Sequence, residues 1–425
     1  MDGNDAFIPA VSCAFHIWQK ERNPMNFLHG KQIVLGITGG IAVYKAVLLL
    51  RLLQKEGADV RVIMTPNALK FMSPITFNAL TSEPVCTDLF DGKTGSYIPH
   101  VEWAQEADAV VVAPATANIM AKMAAGIADD ALSTFLLAAQ GPRVVCPCMN
   151  TRIYDHPATQ RNIQTLKGDG WHVVEAETGF LACREEGRGR LPEPETIVEH
   201  LLYAVIPHDF DGKKILVTAG PTREYIDPVR FISNPSSGKM GYAIARAAAL
   251  RGADVTLVSG PSSLPVPVGV TRHFVVSAKE MADVVFQFAP NADVMIKAAA
   301  VSDYEPVESV FDKVKKGDIE KMISIVRTPD ILEELGRQKK KNQFLVGFCA
   351  ETKGLEKSAT EKMHAKNLDM IVANFVSKEG GAFMGDTNEV TVFSPEKEPV
   401  HISQVPKSDV AMKLLDLISA NVHNG

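Results

Sequence analysis

The segment KKILVTAGPTREYIDPVRFISNPSSGKMGYAIARAAALRGADVTLVSG, residues 213–260, decides the fold of this chain. The apolar run 215–217 predicts a strand, and a loop rich in Gly, Pro and Ser follows it. Residues 240–250 are rich in alanine and predict a helix that ends at Gly252, and residues 255–258 predict a second strand. The order strand, long loop, helix, strand begins a parallel α/β unit, whose loops at the carboxyl ends of strands bind ligands.

The same order occurs earlier in the chain. An apolar run after Lys31 leads into the turn Thr38-Gly39-Gly40, and a helix is predicted from about Ala42. The segment 57–60, Gly-Ala-Asp-Val, recurs at 252–255. Two unrelated doubly wound sheets could also look alike in this way, and we leave that open. In either case the sequence predicts an α/β chain with two Rossmann-like doubly wound domains, as a length of 425 residues suggests.

We place the boundary between these domains at the polar connection 207–212. The predicted organisation is an N-terminal extension at 1–29, a first domain at 30–206 and a second domain at 212–425. The extension is acidic at its start and does not resemble a signal peptide. Its purpose is not evident from the sequence.

Composition excludes several classes of protein. A net charge of −6 and a pI near 6.0 argue against a nucleic-acid partner. Six cysteines are too few for a disulfide scaffold of this length and predict reduced thiols in a cytoplasmic protein. No apolar run reaches the ~18 residues that cross a bilayer, so we expect no membrane partner.

Candidate ligand-binding residues follow the predicted strands of the first unit. The turn 38–40 could present backbone N–H groups to a phosphate at a helix N-terminus, although a plain strand-to-helix turn would look the same. It lacks the G-x-G-x-x-G dinucleotide fingerprint. His100 precedes a strand that ends in Ala113-Pro-Ala-Thr116, and Asn150 follows the next strand. Cys146 and Cys148 have no partners that would complete a zinc site.

A stretch rich in glycine and arginine surrounds Cys183. Residues 178–190 contain three arginines, and we expect a mobile, electropositive loop that lowers the pKa of this thiol. An incidental loop cysteine is the alternative.

In the second unit, Ser236-Ser-Gly-Lys239 is similar to part of a P-loop but fails the full pattern. Lys313 lies in a lysine-rich polar segment that is either a solvated surface or a clamp for a triphosphate. Lys362 and Lys366 are spaced to share one helix face.

Several of these stretches together resemble one family. The segments at 38–42, 113–118 and 147–150 and the loop around Cys183 resemble flavin-dependent phosphopantothenoylcysteine decarboxylases. The segments 219–224, 227–230, 232–241, 313–316 and 366–369 resemble phosphopantothenate–cysteine ligases. Their order matches the bifunctional enzymes of bacterial coenzyme A synthesis, which implies a flavodoxin-like flavoprotein domain followed by a ligase domain.

This resemblance implies two reactions. CTP, with Mg²⁺, would activate 4′-phosphopantothenate as an acyl-cytidylate that cysteine then attacks. FMN would take electrons from the new thiol while CO₂ leaves and return them afterwards, which gives 4′-phosphopantetheine. The family also implies a homo-oligomer, with trimeric flavin domains and dimeric ligase domains that could combine into a dodecamer.

The resemblance also assigns roles to individual residues. The catalytic residues would be His100, Asn150, Cys183 and Asn234. The flavin-binding residues would be Thr38, Gly39, Gly40, Thr65, Ala113 and Thr116. The CTP-binding residues would be Lys297, Ala298, Ala299, Asp303, Lys313, Pro329, Asp330, Ile331, Leu332, Phe348, Lys362 and Lys366. No metal ligand is assigned.

One departure and three alternatives stay open at this point. The sequence has Phe375 in Asn-Phe-Val where the family usually has Asp, which removes a carboxylate near the ligase site. A non-enzymatic, flavin-binding regulatory protein on the same scaffold is the main alternative. An NAD-dependent dehydrogenase would need the glycine fingerprint that is missing, and a chain with only one active half is the third alternative.

Overall fold

A computed structural model of the chain describes residues 27–90, 99–182, 184–309, 323–351, 355–375 and 385–422. Two mainly parallel sheets, each with helices on both faces, lie one after the other along the chain. The predicted fold class is therefore confirmed. Within the described residues, no helix is both long enough and apolar enough to cross a membrane.

The first sheet contains five parallel strands in the order β2-β1-β3-β4-β5. This is the flavodoxin-like order, which reverses direction between β1 and β3. The strands are β1 Gln32–Ile37, β2 Asp59–Met64, β3 Ala109–Ala115, β4 Arg143–Pro147 and β5 His172–Val173. The helices are α1 Val43–Lys55, α2 Ile75–Asn78, α3 Pro99–Glu106, α4 Ala117–Ala125, α5 Ala131–Ala138, α6 Thr151–Tyr154, α7 Pro157–Gly168 and α8 Pro194–Val205.

Two helices of this half begin at small polar residues that cap them. Thr116 caps α4 by accepting a hydrogen bond from the N–H of Ile119. Asp130 and Ser133 form a reciprocal capping box at the start of α5, so Asp130 has the structural role expected of such a residue. Residue Leu28, which we assigned to the extension, is fully buried in this half.

The segment expected to be a mobile loop around Cys183 is instead mostly a β-hairpin. Strands β6 (Glu177–Phe180) and β7 (Glu186–Arg190) pair in antiparallel fashion on either side of it. The sequence did not predict these strands, because the segment alternates glycines with charged residues and lacks the apolar–polar alternation that is typical of a strand.

The second sheet has the order β12-β11-β8-β13-β16-β17-β18-β19. Its first six strands are parallel and have the Rossmann order 3-2-1-4-5-6, and the last two are antiparallel. The strands of this sheet are β8 Lys214–Ala219, β11 Asp254–Ser259, β12 Val270–Phe274, β13 Val294–Lys297, β16 Phe344–Glu351, β17 Met370–Phe375, β18 Thr387–Phe393 and β19 Val400–Pro406. The helices are α9 Lys239–Leu250, α10 Ala278–Phe288, α11 Ile331–Gln338, α12 Leu355–Ala365 and α13 Lys407–Val422.

Two short antiparallel pairs lie outside the main sheets of this half. Strands β9 (Arg223–Tyr225) and β10 (Phe231–Ser233) pair within the long loop after β8. Strands β14 (Tyr304–Pro306) and β15 (Ile325–Arg327) pair near the loop that follows β13. We predicted a long ligand-binding loop after β8, and part of it is a hairpin in the structure.

The two halves are in direct contact through α8 and α9. Arg246 on α9 donates from Nε and Nη2 to both carboxylate oxygens of Glu199 on α8, at 2.6–2.9 Å. Leu250, at the end of α9, packs into the core of the first half. In the connection between the halves, Phe210 is fully buried and its N–H donates to the carbonyl oxygen of Arg251. The connection is therefore a folded part of the structure.

Arg251 holds this junction together. Its guanidinium is 7% exposed and pairs with Asp209 in the connection and with Asp416 on α13. We expect Arg251→Met to lower the free energy of unfolding by about 2–3 kcal/mol, because two carboxylates lose their shared partner. Urea unfolding followed by circular dichroism measures this change. Arg337→Met removes an exposed ion pair and should change stability by less than about 0.5 kcal/mol; equal losses in both variants would contradict the role of Arg251.

Candidate active sites at the carboxyl ends of the two sheets

A cavity of about 790 Å³ lies in the second half, at the carboxyl end of its parallel strands. Asn234 lines it together with eleven of the twelve residues predicted to bind CTP. These eleven are Lys297, Ala298, Ala299, Asp303, Pro329, Asp330, Ile331, Leu332, Phe348, Lys362 and Lys366. Lys313 lies outside the described residues. The structure thus brings residues from five separate stretches of sequence to one space.

The floor of this cavity lies where the strand order reverses, between β8 and β13. The hydroxyl of Thr218 on β8 accepts a hydrogen bond of 3.1 Å from the N–H of Ala299. The N–H of Ala300 donates to the carbonyl oxygen of Gly220 at 2.9 Å. These bonds fix the small residues 298–300, which present backbone and no bulky side chain to the cavity.

Asp330 organises the opposite wall. It caps α11 by accepting from the N–H of Glu333 at 3.0 Å, and it receives the Lys366 ammonium at 2.5 Å. Burial alone would raise the pKa of Asp330, but the Lys366 ammonium and the Glu333 N–H together hold it below its usual value. This carboxylate is therefore charged at neutral pH and keeps Lys366 at the cavity.

Asn234 lies just after the β9–β10 hairpin. Its Nδ2 donates to the carbonyl oxygen of Val301 at 2.9 Å, which joins the hairpin to the loop after β13. The neighbouring Ser233 hydroxyl donates to the carbonyl oxygen of Thr222 at 2.7 Å. The Asn234 side chain is thus held at the cavity with its amide oriented by backbone.

Several lining residues were not among those predicted to bind CTP. Lys239 lines the end of the cavity near the start of α9 and forms an ion pair of 2.6 Å with Asp386. Lys407, the first residue of α13, is 5% exposed and also lines the cavity, with Asn374 and Asn388. Burial lowers the pKa of Lys407, and the nearby Lys239 lowers it further. Lys239 ends the P-loop-like segment 236–239, and Asn374 begins the Asn-Phe-Val motif noted in the sequence. No local pattern marks Lys407 and Asn388, because they come from the last helix and from an antiparallel strand.

In the first half, the predicted flavin-binding residues lie at the carboxyl ends of β1, β2 and β3. The Thr38 hydroxyl donates to the carbonyl oxygen of Pro114 at 2.7 Å and accepts from the N–H of Thr116 at 3.1 Å. These two bonds join the turn after β1 to the end of β3, at the point where the strand order reverses. Open α/β sheets bind ligands at such a point.

The glycines of this turn differ in their surroundings. A Cβ on Gly39 would lie 2.6 Å from the Cβ of Asn67, so only glycine fits against the turn that follows β2. A Cβ on Gly40 would meet nothing within 4 Å. Thr65, in that second turn, accepts from the N–H of Ala68 at 3.3 Å. Thr38, Gly39, Gly40 and Thr116 thus form a cradle that is closely packed at Gly39 and open at Gly40. This shape fits a phosphate-bearing group.

Of the other predicted catalytic residues, the structure describes the side chain of Asn150 alone. Asn150 follows β4 and caps α6, with its Oδ1 accepting from the N–H of Arg152 at 2.9 Å. The preceding Met149 donates its N–H to the carbonyl oxygen of Gly189 on β7 at 3.0 Å. His100 lies in α3, a helix that the sequence did not predict, and its side chain is outside the described part of the structure. Cys183 is outside the described residues altogether.

Comparison with known proteins covers both halves. Residues 210–422 match the family model described as DNA/pantothenate metabolism flavoprotein C-terminal domain, and residues 21–205 match the model described as Flavoprotein. The chain is 48% identical over 398 residues to the coenzyme A biosynthesis bifunctional protein CoaBC of Bacillus subtilis (strain 168), covering 92% of this chain and 98% of the relative.

Two further proteins are similar to this chain. The protein of the same name from Vibrio vulnificus (strain YJ016) is 44% identical over 396 residues, covering 93% of this chain and 98% of the relative. A crystal structure of the C-terminal domain of a coenzyme A biosynthesis bifunctional protein CoaBC is 44% identical, with a TM-score of 0.45, and covers 51% of this chain and 100% of that chain.

Proposed function

Since this chain belongs to the family of bifunctional coenzyme A biosynthesis proteins, we propose that its two halves catalyse successive steps of that synthesis. The chain is an enzyme with a ligase and a decarboxylase activity. Residues 212–425 would join 4′-phosphopantothenate to cysteine, and residues 30–206 would decarboxylate the product to 4′-phosphopantetheine. The observation that carries the ligase assignment is the single cavity that gathers Asn234 and the eleven described nucleotide-binding candidates.

The ligase step needs an activated carboxyl group, because a carboxylate does not react with an amine. We infer that the carboxylate attacks the α-phosphorus of CTP, so that an acyl-cytidylate forms and pyrophosphate leaves. The amine of cysteine then attacks the acyl carbon and CMP leaves. Lys362 and Lys366 would neutralise phosphate charge, and Asn234 would donate a hydrogen bond to the acyl-cytidylate.

Mg²⁺ would enter with the nucleotide as part of the substrate. Among the residues that the structure describes, no group of three His, Cys, Asp or Glu side chains is placed to hold a metal ion. Mg²⁺ commonly needs only one or two protein carboxylates when substrate phosphates supply the other ligands.

The decarboxylase half fits a flavin mononucleotide. Thr38, Gly39, Gly40 and Thr116 form the cradle after β1 and β3, while Thr65 and Ala113 lie at the neighbouring strand ends. A bound flavin supplies reversible two-electron oxidation of the substrate thiol, which makes loss of CO₂ feasible. Asn150 would orient the substrate carboxylate, His100 would move a proton, and Cys183 would donate the last proton.

The flavin cradle gives a direct prediction. Thr38→Val removes the hydroxyl that bonds both the Pro114 carbonyl and the Thr116 N–H. Each buried polar group left without a partner destabilises the turn by about 1–3 kcal/mol. We expect the purified variant to retain several-fold less flavin per chain, measured by absorbance after denaturation. Thr38→Ser keeps the hydroxyl and should retain the wild-type flavin content. If Thr38→Val also retained full flavin, the cradle would have to lie elsewhere.

We also propose that the flavin halves form trimers and the ligase halves form dimers. The exposed apolar side chains Ile41, Tyr44 and Leu48 share one face at the start of α1. In the other half, Tyr225 and Phe231 are exposed, and their rings contact each other edge to face in the β9–β10 hairpin. Light scattering of the purified protein measures the mass of the assembly, and a monomer would contradict this proposal.

Product analysis tests the function as a whole. The purified chain is given 4′-phosphopantothenate, cysteine, CTP and Mg²⁺, and its products are identified by mass spectrometry. Phosphopantetheine, CMP, pyrophosphate and CO₂ support both halves. Phosphopantothenoylcysteine as the final product supports the ligase half alone. Unchanged CTP together with bound flavin would favour the non-enzymatic regulatory protein.

A further inference from the structure

Lys297 is the one charged residue on the floor of the ligase cavity for which the described residues provide no hydrogen-bond acceptor and no ion-pair partner. It ends β13, at the centre of the sheet, with the uncharged residues Thr218 and Gly347 opposite it on β8 and β16. Its side chain is partly buried and lines the cavity. Lys239 and Lys366, by contrast, form ion pairs with aspartates.

Charged side chains face Lys297 from three other elements. Those that act on its charge are Asp330, Lys366 and Asp303. The other charged residues that line the cavity are Lys239, Arg327, Glu333, Lys362 and Lys407. Asp330 forms its direct contacts with Lys366 and with the N–H of Glu333, so it acts on Lys297 only through space, as Asp303 does. Among the described residues, the Lys297 ammonium therefore has no carboxylate in direct contact when the cavity holds no anion.

We propose that Lys297 is a proton carrier of the ligase cavity, which binds a proton when the triphosphate of CTP enters and releases it when pyrophosphate leaves. This proposal rests on the proposed ligase function. An anion placed beside an enclosed amine favours its charged form, whereas an enclosed amine without that anion favours the neutral form. The protonation of Lys297 would thus follow the phosphate content of the cavity.

The charges around Lys297 also favour a change in its protonation. Burial lowers the pKa of Lys297 to about 8; Asp330 and Asp303 oppose that shift, and Lys366 adds to it. A fraction of the free enzyme is then neutral at this position near physiological pH. A triphosphate would raise the pKa again.

Release of the proton would leave Lys297 neutral at the step in which cysteine attacks the acyl-cytidylate. When pyrophosphate has left, the cysteine nitrogen forms a bond to the acyl carbon, and the bond from that carbon to the CMP oxygen breaks. The attacking amine must lose a proton in this step. The proton that Lys297 loses leaves with pyrophosphate or passes to solvent. The neutral Lys297 amine then accepts the proton of the attacking nitrogen and gives it to solvent once CMP has left, which closes the proton balance.

Isothermal titration calorimetry of the full chain tests the proposal through proton stoichiometry. CTP with Mg²⁺ is titrated in buffers of different ionisation enthalpy, and the dependence of the heat on the buffer gives the number of protons taken up. We expect uptake of up to about half a proton per site near pH 8 and close to none near pH 6.5, where Lys297 is already charged. CMP, which lacks the pyrophosphate portion, should cause less uptake than CTP.

Two variants and a control complete the test. Lys297→Arg, which stays charged, and Lys297→Gln, which stays neutral, should both bind CTP without the pH-dependent uptake. Lys279→Arg, on the exposed face of α10, should behave as wild type. Equal uptake in wild type and in both Lys297 variants overturns the proposal. Absence of any CTP binding by the wild type overturns the ligase assignment, and this inference with it.

Discussion

Replacing Gly189 by alanine should abolish most decarboxylation while leaving ligation intact. Gly189 has a φ of +140°, and a Cβ added there would lie 2.1 Å from the carbonyl oxygen of Met149. That carbonyl belongs to the residue before Asn150, so the clash must move either the hairpin or the turn that holds Asn150. A displacement of about 1 Å at a catalytic group can reduce the rate about 100-fold. We expect a loss of that size.

The measurement uses each reaction separately. Decarboxylation of supplied phosphopantothenoylcysteine is followed as CO₂ release, and ligation is followed as CMP release from CTP. Gly179→Ala provides the matched control in the same hairpin, because its Cβ would meet only the Arg190 side chain, at 3.6 Å. Equal decarboxylation by both alanine variants would show that the position of β7 does not matter to the reaction.

Asn234→Asp should have the second large effect, in the other half. In the wild type, Nδ2 of Asn234 donates to the carbonyl oxygen of Val301 at 2.9 Å. The change replaces this donor by a carboxylate oxygen that faces the same carbonyl oxygen. Repulsion would move the side chain away from the loop after β13, and the hydrogen bond to the acyl-cytidylate would be lost. Removal of one such donor costs about 100- to 1,000-fold in rate.

Ligation is again measured as CMP release, with decarboxylation of supplied substrate as the internal reference. The reference should stay within the wild-type range. Asn291→Asp, at an exposed position after α10, makes the same chemical change outside the cavity and should not alter either reaction. Loss of both reactions in Asn234→Asp would indicate a folding defect and would remove the support for a role in ligation.

Local sequence patterns predicted the sheets well because their strands are buried on both faces. Runs such as 215–217 and 109–112 are continuously apolar, and glycines close the helices between them. The hairpins β6–β7 and β9–β10 were not predicted. Their strands are only three to five residues long and none of them is a continuous apolar run, so pairing with a neighbouring strand, and not burial of an apolar face, determines their structure.

The candidate sites also contain residues that local patterns predicted and residues that they did not. Thr38, Thr116 and Asp330 follow predicted strands or begin predicted helices, and residues in such places meet at one edge of a parallel sheet. Lys407 and Asn388 reach the ligase cavity from the last helix and an antiparallel strand, whose position no local pattern gives. Lys297 was predicted at the cavity, but its lack of a counter-ion depends on which neighbours already pair with each other.

The folded connection between the halves has a consequence for the passage of the intermediate from one reaction to the other. Phe210 is buried, Arg251 ties the connection to α13, and Leu250 is anchored in the core of the first half. One half therefore cannot swing to deliver its product to the other within a chain. We therefore expect the intermediate to pass through solvent, so that the final product appears after a lag and a second decarboxylase added in excess captures part of the flux. The absence of a lag would indicate direct transfer between neighbouring chains.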